Sequence, residues 1–150
     1  MLPTLPPYPD SYLLFGMIFA VSNRLQVIGD RFYQEITAKQ WFVLVTLELF
    51  GEEHPTLNEL SDAVGSSHQN VKQLVLKLQQ KGYVQLYTDA RDRRKSRVAK
   101  TDKCAELASA YHEKETEFIK QLFAGTQPDE LKSTLRVLMT LEKNMENRQE

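Results

Sequence analysis

The spacing of apolar residues along the chain is mostly helical. Between residues 11 and 29, apolar side chains recur every three or four positions and form one broad face, which residues 30–36 interrupt. The segment from Trp41 to Phe50 is apolar nearly all round, which predicts a buried helix. Residues 1–10 contain four prolines and are predicted to form an extended arm. Six helices are expected, at about 11–29, 41–50, 57–64, 68–81, 102–124 and 128–147.

Capping signals mark several of these helix boundaries. Thr37–Gln40 and Thr56–Glu59 each place a hydroxyl three residues before an amide or a carboxylate, which is the pattern of a capping box. A break at residues 65–67 separates two short helices, and Ser67 is available to cap the second. Gly82 ends that second helix. Two helices joined by such a break are typical of a helix-turn-helix.

The second of these two helices has an outward face without acidic residues. This face carries Gln69, Asn70, Lys72, Gln73, Leu76 and Lys77. A surface helix that serves only solubility usually mixes both signs of charge. Glutamine and asparagine can bind adenine bidentately in the major groove of DNA, and lysine can bind guanine or phosphate. Leu76 fits the methyl group of a thymine or, more commonly for leucine, a buried position against a neighbouring element.

A β-hairpin is predicted directly after this helix. Residues 83–87 alternate like a strand, and residues 96–100 form a second short strand with Val98 facing inward. A hairpin in this place makes a winged helix-turn-helix, whose tip presents the cations Arg91, Arg93, Arg94 and Lys95. Arginine is favoured in the narrow minor groove of A·T tracts, whereas the alternative is a solvated charged turn. Asp89 and Asp92 lie where they can pair with arginines.

The distribution of charge supports a polyanionic partner. The chain of 150 residues has a net charge of −1. Residues 68–103 hold 10 Lys and Arg against 3 Asp and Glu, a net charge of +7, whereas residues 1–67 and 104–150 carry −5 and −3. A basic segment in an otherwise acidic chain is the electrostatic footprint expected of a nucleic-acid-binding protein.

Composition limits the other function classes. The length fits one domain, residues 1–150, and 41% apolar with 26% charged residues is typical of a soluble globular protein. No long uncharged apolar stretch and no signal peptide is found, so no membrane partner is expected. The sequence also lacks a Gly-rich phosphate loop, an HExxH motif and paired CxxC motifs. We therefore expect no enzyme, no cofactor and no metal.

The single cysteine, Cys104, allows no internal disulfide and favours a reducing, cytoplasmic location. It lies near Lys100 and Lys103 at the start of a predicted helix, which would favour the thiolate and leaves a redox sensor open as a minor alternative. Cys104 and His112 on the same helix are a weak candidate for a metal pair.

From Thr37 to Thr101 the sequence resembles the MarR family of bacterial transcriptional regulators. The matching features are the order of the helices, the helix from Ser67 with Gly82 behind it, and above all the string Asp-x-Arg-Asp-Arg-Arg at residues 89–94, followed by Val98. The long flanking helices agree with the family in length and order. Family members often have arginine at the positions of His68 and Gln73, and leucine and glycine at those of Lys100 and Cys104.

The resemblance implies a mainly α fold with a small β-hairpin. A winged helix-turn-helix at residues 37–101 would be flanked by dimerisation helices at residues 11–29 and 104–147. It implies a homodimer that binds a pseudo-palindromic operator in double-stranded DNA, usually as a repressor, and that releases DNA when a small-molecule effector binds. The implied DNA contacts of the helix are Ser67, His68, Gln69, Asn70, Lys72, Gln73 and Lys77. Those of the wing are Arg91, Arg93, Arg94 and Lys95, with Asp89 and Asp92 pinning the wing by salt bridges.

Two other function classes stay open at this point. A winged helix that has lost DNA binding can serve as a protein-interaction module, and the less basic helix face keeps this alternative open. An enzyme is the second alternative, although no catalytic constellation is visible in the sequence.

Overall fold

The computed structural model describes residues 8–146 and confirms a mainly helical fold with one small hairpin. Most of the arm expected at residues 1–10 lies outside the described residues. The elements, in chain order, are α1 (Asp10–Phe32), α2 (Ala38–Glu48), α3 (Leu57–Val64), α4 (His68–Gln80), β1 (Val84–Thr88), β2 (Ser96–Lys100), α5 (Asp102–Leu122) and α6 (Pro128–Glu146). They follow the order of a winged helix-turn-helix between long terminal helices.

The capping signals act as predicted. The side chain of Thr37 accepts a hydrogen bond from the backbone N–H of Gln40, and the side chain of Gln40 accepts one from the N–H of Thr37. Thr56 and Glu59 form the same reciprocal pair at the start of α3. Each pair satisfies N–H groups that the first turn of a helix leaves without partners. Gly65 ends α3 with φ +68°, a left-handed conformation that glycine adopts without strain.

The first helix extends beyond its predicted end. The apolar pattern stops near residue 29, but α1 continues to Phe32. Arg31 in the last turn suits the negative end of the helix dipole, and the Asp30 carboxylate accepts a hydrogen bond from the N–H of Ala38, 2.8 Å away. Asp30 thereby links the last turn of α1 to the first residue of α2. Next to them α1 and α2 approach closely, since a Cβ added at Gly29 would lie 2.7 Å from the Ala38 Cβ.

The prediction that α2 is buried all round is wrong. Val43, Leu44 and Leu47 are buried, but Phe42 and Leu49 are exposed by 46% and 80%. The helix packs against α1, α3, α4 and β2, and these neighbours leave part of its surface uncovered. Its apolar outer side therefore remains open in the single chain.

The core lies between α2, α3, α4 and the hairpin. Leu60, Val71, Val75, Leu78 and Val98 are fully buried there. Val71, Val75 and Leu78 recur at the helical spacing that the sequence shows, so one side of α4 is fixed against the core. The opposite side of α4 must consequently face solvent.

The hairpin is anchored on the helical core. β1 and β2 pair in antiparallel register with Leu86 opposite Val98, and the inward position predicted for Val98 is confirmed. The N–H of Val98 also donates to the carbonyl of Pro55, 2.9 Å away, and Thr56 forms an isolated bridge with Arg97. The loop before α3 thus extends the two-stranded sheet at its inner edge.

The described chain divides into two compact units, one ending at Leu107 and the other beginning at Ala108. The first contains the winged helix-turn-helix and α1, and the second contains most of α5 and all of α6. Neither α1 nor α6 has a buried residue within the single chain. The exposed apolar side chains of α1 include Tyr12, Phe15 and Phe19, and those of α6 include Leu135 and Met139.

The helix α1 is also long and apolar enough to cross a membrane, judged by length and composition alone. This corrects the expectation that no such segment exists. The expectation required an uncharged stretch, and Arg24 is the single charged residue between residues 11 and 29. One charge does not exclude a spanning helix. Whether α1 crosses a membrane or packs against protein therefore depends on what covers its apolar face.

Candidate nucleic-acid interface

One face of α4 is exposed to solvent. Ser67 caps the helix by accepting a hydrogen bond from the N–H of Asn70. Exposed side chains then follow at His68, Gln69, Asn70, Lys72, Gln73 and Lys77. Within the described part of the chain, the side chains of Gln69, Lys72 and Gln73 make no hydrogen bond or ion pair. We call Gln69, Asn70, Lys72, Gln73 and Lys77 the amide face; its polar groups are available to an external partner.

Two other residues of α4 lie towards neighbouring elements of the fold. Leu76 is half-buried, which agrees with packing against a neighbouring element. The Gln79 side-chain oxygen accepts a hydrogen bond from the N–H of Leu86, 2.9 Å away. Because Leu86 belongs to β1, this bond fixes the end of α4 relative to the hairpin.

The tip of the hairpin, residues 89–95, is organised by one buried carboxylate. Asp89 is 6% exposed, and its Oδ1 accepts hydrogen bonds from the N–H groups of Arg91 and Asp92, both 2.8 Å away. Its Oδ2 pairs with the Arg97 Nε. The Arg97 side chain, followed by the two backbone N–H groups, lowers the pKa of Asp89 from 3.8 to about 2. The charged form of Asp89 therefore fixes the turn from which the arginines project.

A second, more exposed pair lies further out on the tip. The Arg94 Nε is 3.2 Å from the Asp92 Oδ1, and the Arg94 backbone N–H donates to the same oxygen at 3.1 Å. The Arg94 side chain lowers the pKa of Asp92. Because that side chain is 90% exposed, the pair orients the guanidinium without withdrawing it from solvent.

Arg97 is an important residue that the sequence analysis missed. Besides Asp89, it binds the carbonyl of His54 through Nη1 at 2.5 Å. The His54 Nδ1 lies 2.6 Å from the hydroxyl of Tyr87, which is opposite Arg97 in the strand register. Arg97 thus connects the tip, the hairpin and the loop before α3. The alternation of β2 could have indicated this residue. Because Val98 faces the core, its neighbour Arg97 must lie on the opposite face of the hairpin.

The basic segment contains two kinds of cation. Lys81, Arg97, Lys100 and Lys103 bind groups of the protein itself; Lys100, for instance, pairs with Glu48. Within the described residues, five other cations have side chains without a protein partner: Lys72, Lys77, Arg91, Arg93 and Lys95. The net charge of +7 therefore overstates the charge that is free to meet a polyanion. The free cations lie on the amide face and on the tip, both in the first unit.

The minor alternative of a thiolate at Cys104 is not supported by its surroundings. Burial raises the pKa of the thiol, and the Cys104 Sγ donates to the carbonyl of Tyr83 at 3.0 Å. Of the two lysines expected to favour the thiolate, Lys100 pairs with Glu48, and Lys103 binds the carbonyl of Lys81. The cysteine is a packed, hydrogen-bonded thiol. Among residues 8–146, no group of His, Cys, Asp and Glu is arranged to hold a metal ion.

Comparison with known proteins agrees with this geometry. The MarR family model matches residues 34–95, which include α2, α3, α4, β1 and the whole tip. A search of curated proteins finds no significant match. A MarR protein from Peptoclostridium difficile is 25% identical with a TM-score of 0.81, and the alignment covers 99% of this chain and 96% of that one.

Two further solved structures share the fold at lower identity. Sco3205, a MarR family transcriptional regulator from Streptomyces coelicolor solved in complex with DNA, is 17% identical with a TM-score of 0.79, and 92% of each chain is covered. BpsR from Bordetella bronchiseptica, whose DNA binding is regulated by 6-hydroxynicotinic acid, is 20% identical with a TM-score of 0.72, covering 86% of this chain and 98% of that one. The family-model match confirms the resemblance to the MarR family over residues 34–95, and the solved structures show the same fold over most of the chain.

Proposed function

We propose that this MarR-type winged-helix protein is a homodimeric transcriptional regulator that binds a pseudo-palindromic operator in double-stranded DNA. The amide face of α4 enters the major groove, and the tip of the wing enters the adjacent minor groove. The observation that carries the proposal is the placement of all five partner-free cations of the basic segment on these two surfaces. The similar proteins are transcription regulators rather than enzymes.

The chemistry of the amide face supports direct reading of bases. Glutamine and asparagine each offer a donor and an acceptor that match the N6 and N7 atoms of adenine. Gln69 and Gln73 lie on the exposed face of a helix whose other side is fixed by buried Val71 and Val75. We therefore expect adenines in the half-site, at positions met by the first two turns of α4.

The apolar faces of the terminal helices support a homodimer. Exposed apolar patches of this extent on a soluble chain mark interaction surfaces. A second copy is favoured over a membrane as the cover of α1, because Ser22, Asn23, Arg24 and Gln26 lie within the same helix. Two copies related by a two-fold axis would present α4 twice, with half-sites about 34–36 Å apart.

We infer the regulatory role from the similar proteins. The DNA binding of BpsR is regulated by 6-hydroxynicotinic acid, and the resemblance to the MarR family implies repression. We propose that this protein is a cytoplasmic repressor that responds to a small-molecule effector. A protein-interaction module gains no support from the structure, because the partner-free cations coincide with the two surfaces that a DNA reader uses.

Selection of bound sequences from a random duplex pool tests the proposal. The purified protein should recover a palindrome with adenine-containing half-sites, and light scattering should show two chains for each duplex. Recovery of nothing at low salt by a folded dimer would contradict DNA reading. Recovery of an asymmetric site by a monomer would contradict the dimer.

A further inference from the structure

The C-terminal end of α4 is held by a lysine that reaches the junction between α1 and α2. Lys81 is the C-cap residue of α4. Its Nζ donates to the carbonyl oxygen of Glu35, 2.6 Å away, and to the Oε1 of Gln40, 3.0 Å away. Glu35 lies in the loop after α1, and Gln40 lies in the first turn of α2. One side chain therefore joins the end of α4 to a junction that lies more than 40 residues earlier in the sequence.

The acceptor on α2 is itself fixed. Gln40 is 3% exposed, and its Oε1 also accepts the backbone N–H of Thr37 in the capping box. The same oxygen thus serves the cap of α2 and the ammonium of Lys81. A charge-assisted hydrogen bond to a buried, already oriented oxygen restrains position as well as adding energy. The end of α4 is consequently held relative to the start of α2.

The peptides after α4 are held from another side. The Lys103 Nζ donates to the carbonyl of Lys81 at 2.8 Å and lies 4.7 Å from the ring centroid of Tyr83. The Thr101 hydroxyl donates to the carbonyl of Gly82 at 2.7 Å. The backbone at the end of α4 is therefore fixed without Lys81. Loss of the Lys81 side chain should free the helix from the α1–α2 junction but leave it folded.

We infer that Lys81 is a positioning residue for DNA recognition. It transmits the position of the α1–α2 junction to the recognition helix and so helps to set the distance between the two recognition helices of a dimer. This inference rests on the proposed function, in which α1 contributes to the dimer and α4 reads the half-site. Lys81 itself does not touch DNA in this account, because its ammonium is bound within the protein.

The test compares Lys81→Met with Lys77→Met on operators of varied spacing. Lys77 is the matched control, since it lies one turn earlier on α4 with an exposed side chain that has no partner among residues 8–146. Duplexes would carry the selected half-sites at the best spacing and at one base pair more or less. Affinity would be measured for each duplex across a range of salt concentrations, with circular dichroism as the check on folding.

For Lys81→Met we expect affinity for the best spacing to fall about tenfold with an unchanged salt slope. The penalty for a one-base-pair change in spacing should become much smaller. Lys81→Arg should restore the spacing preference, because the guanidinium reaches the same oxygens. Lys77→Met should lower the salt slope by about one and keep the spacing preference.

Three results would overturn the inference. One is a wild-type spacing profile in Lys81→Met. Another is a lower salt slope with spacing preference retained, which would make Lys81 a phosphate contact. The third is loss of the helical circular dichroism signal, which would make it a general stability residue. Failure of the wild-type protein to bind any duplex would instead contradict the proposed function.

Discussion

The amide face of α4 and the tip of the wing differ in how the protein holds them. Among residues 8–146 the side chains of Gln69 and Gln73 make no hydrogen bond, and the helix backbone sets their positions. The tip is a loop, and Asp89 fixes its backbone through two N–H groups and Arg97. A helix satisfies its own backbone hydrogen bonds, whereas a loop needs side chains to do so. The two surfaces should therefore respond differently to mutation.

The largest effect is expected from Asp89→Ala. This change removes the acceptor of three interactions, so the tip should lose its fixed turn and operator affinity should fall about 100-fold. The measurement is fluorescence anisotropy of a labelled operator, together with amide exchange of Arg91 and Asp92. Asp92→Ala is the control, because Asp92 mainly orients the exposed Arg94 and should cost less. Fast exchange with wild-type affinity would show that DNA binding does not need an ordered tip.

A smaller and more selective effect is expected from Gln73→Ala. Loss of a bidentate contact to adenine should weaken cognate binding about tenfold, relax the base preference at one position and leave the salt slope unchanged. The measurement is a titration against operators with each base at every half-site position. Gln80→Ala is the matched control, because Gln80 is exposed at the far end of α4. Equal effects of the two variants would remove the adenine assignment.

How far the sequence predicts these regions depends on the distance between interacting groups. The capping boxes at Thr37 and Thr56 are visible because donor and acceptor lie three residues apart. Asp89 and Arg97 are eight residues apart, and their pairing follows only from the register of the hairpin. Lys81 binds a backbone carbonyl 46 residues away, and a carbonyl has no signature in a sequence.

The exposed side of α2 shows a second limit of prediction from sequence. The apolar pattern of residues 41–50 correctly indicates surfaces that avoid water, yet Phe42 and Leu49 are exposed in the single chain. A sequence pattern reports that a side chain prefers burial and not which molecule buries it. The same limit applies to α1, whose apolar residues are exposed in the single chain and do not themselves identify what covers them.

Arg94 differs from Asp89 in that its side chain is exposed on the tip and does not fix the turn. Arg94→Ala should weaken operator binding a few-fold and lower the salt slope by about one, because one phosphate or minor-groove cation is lost. The fold should be unaffected, since the Arg94 side chain is 90% exposed. Equilibrium binding at several salt concentrations and thermal unfolding give the two readouts. Unchanged binding would remove Arg94 from the DNA contacts.

Protonation of Asp89 should affect DNA binding least, because the carboxyl group stays ionised near neutral pH. Its folded pKa of about 2 is below the ordinary 3.8, so the carboxylate stabilises the tip above about pH 4. This contribution should disappear as the pH falls from about 4 towards 2. The chemical shifts of the Arg91 and Asp92 amides would report the transition. Asp89→Asn should show no transition there, and one of equal size in that variant would assign it to another group.

The most direct test is a titration of the selected operator and of a scrambled duplex with equal composition. Affinities would be measured at about 50 and 200 mM salt, a range over which 6 to 10 phosphate contacts cost roughly 10³–10⁵ in affinity. We expect binding to both duplexes to weaken steeply with salt, and the operator to be bound at least about 10³ more tightly at each salt concentration. Equal affinities for the two duplexes would contradict base reading by α4. Weak binding at low salt would contradict the DNA-binding function itself.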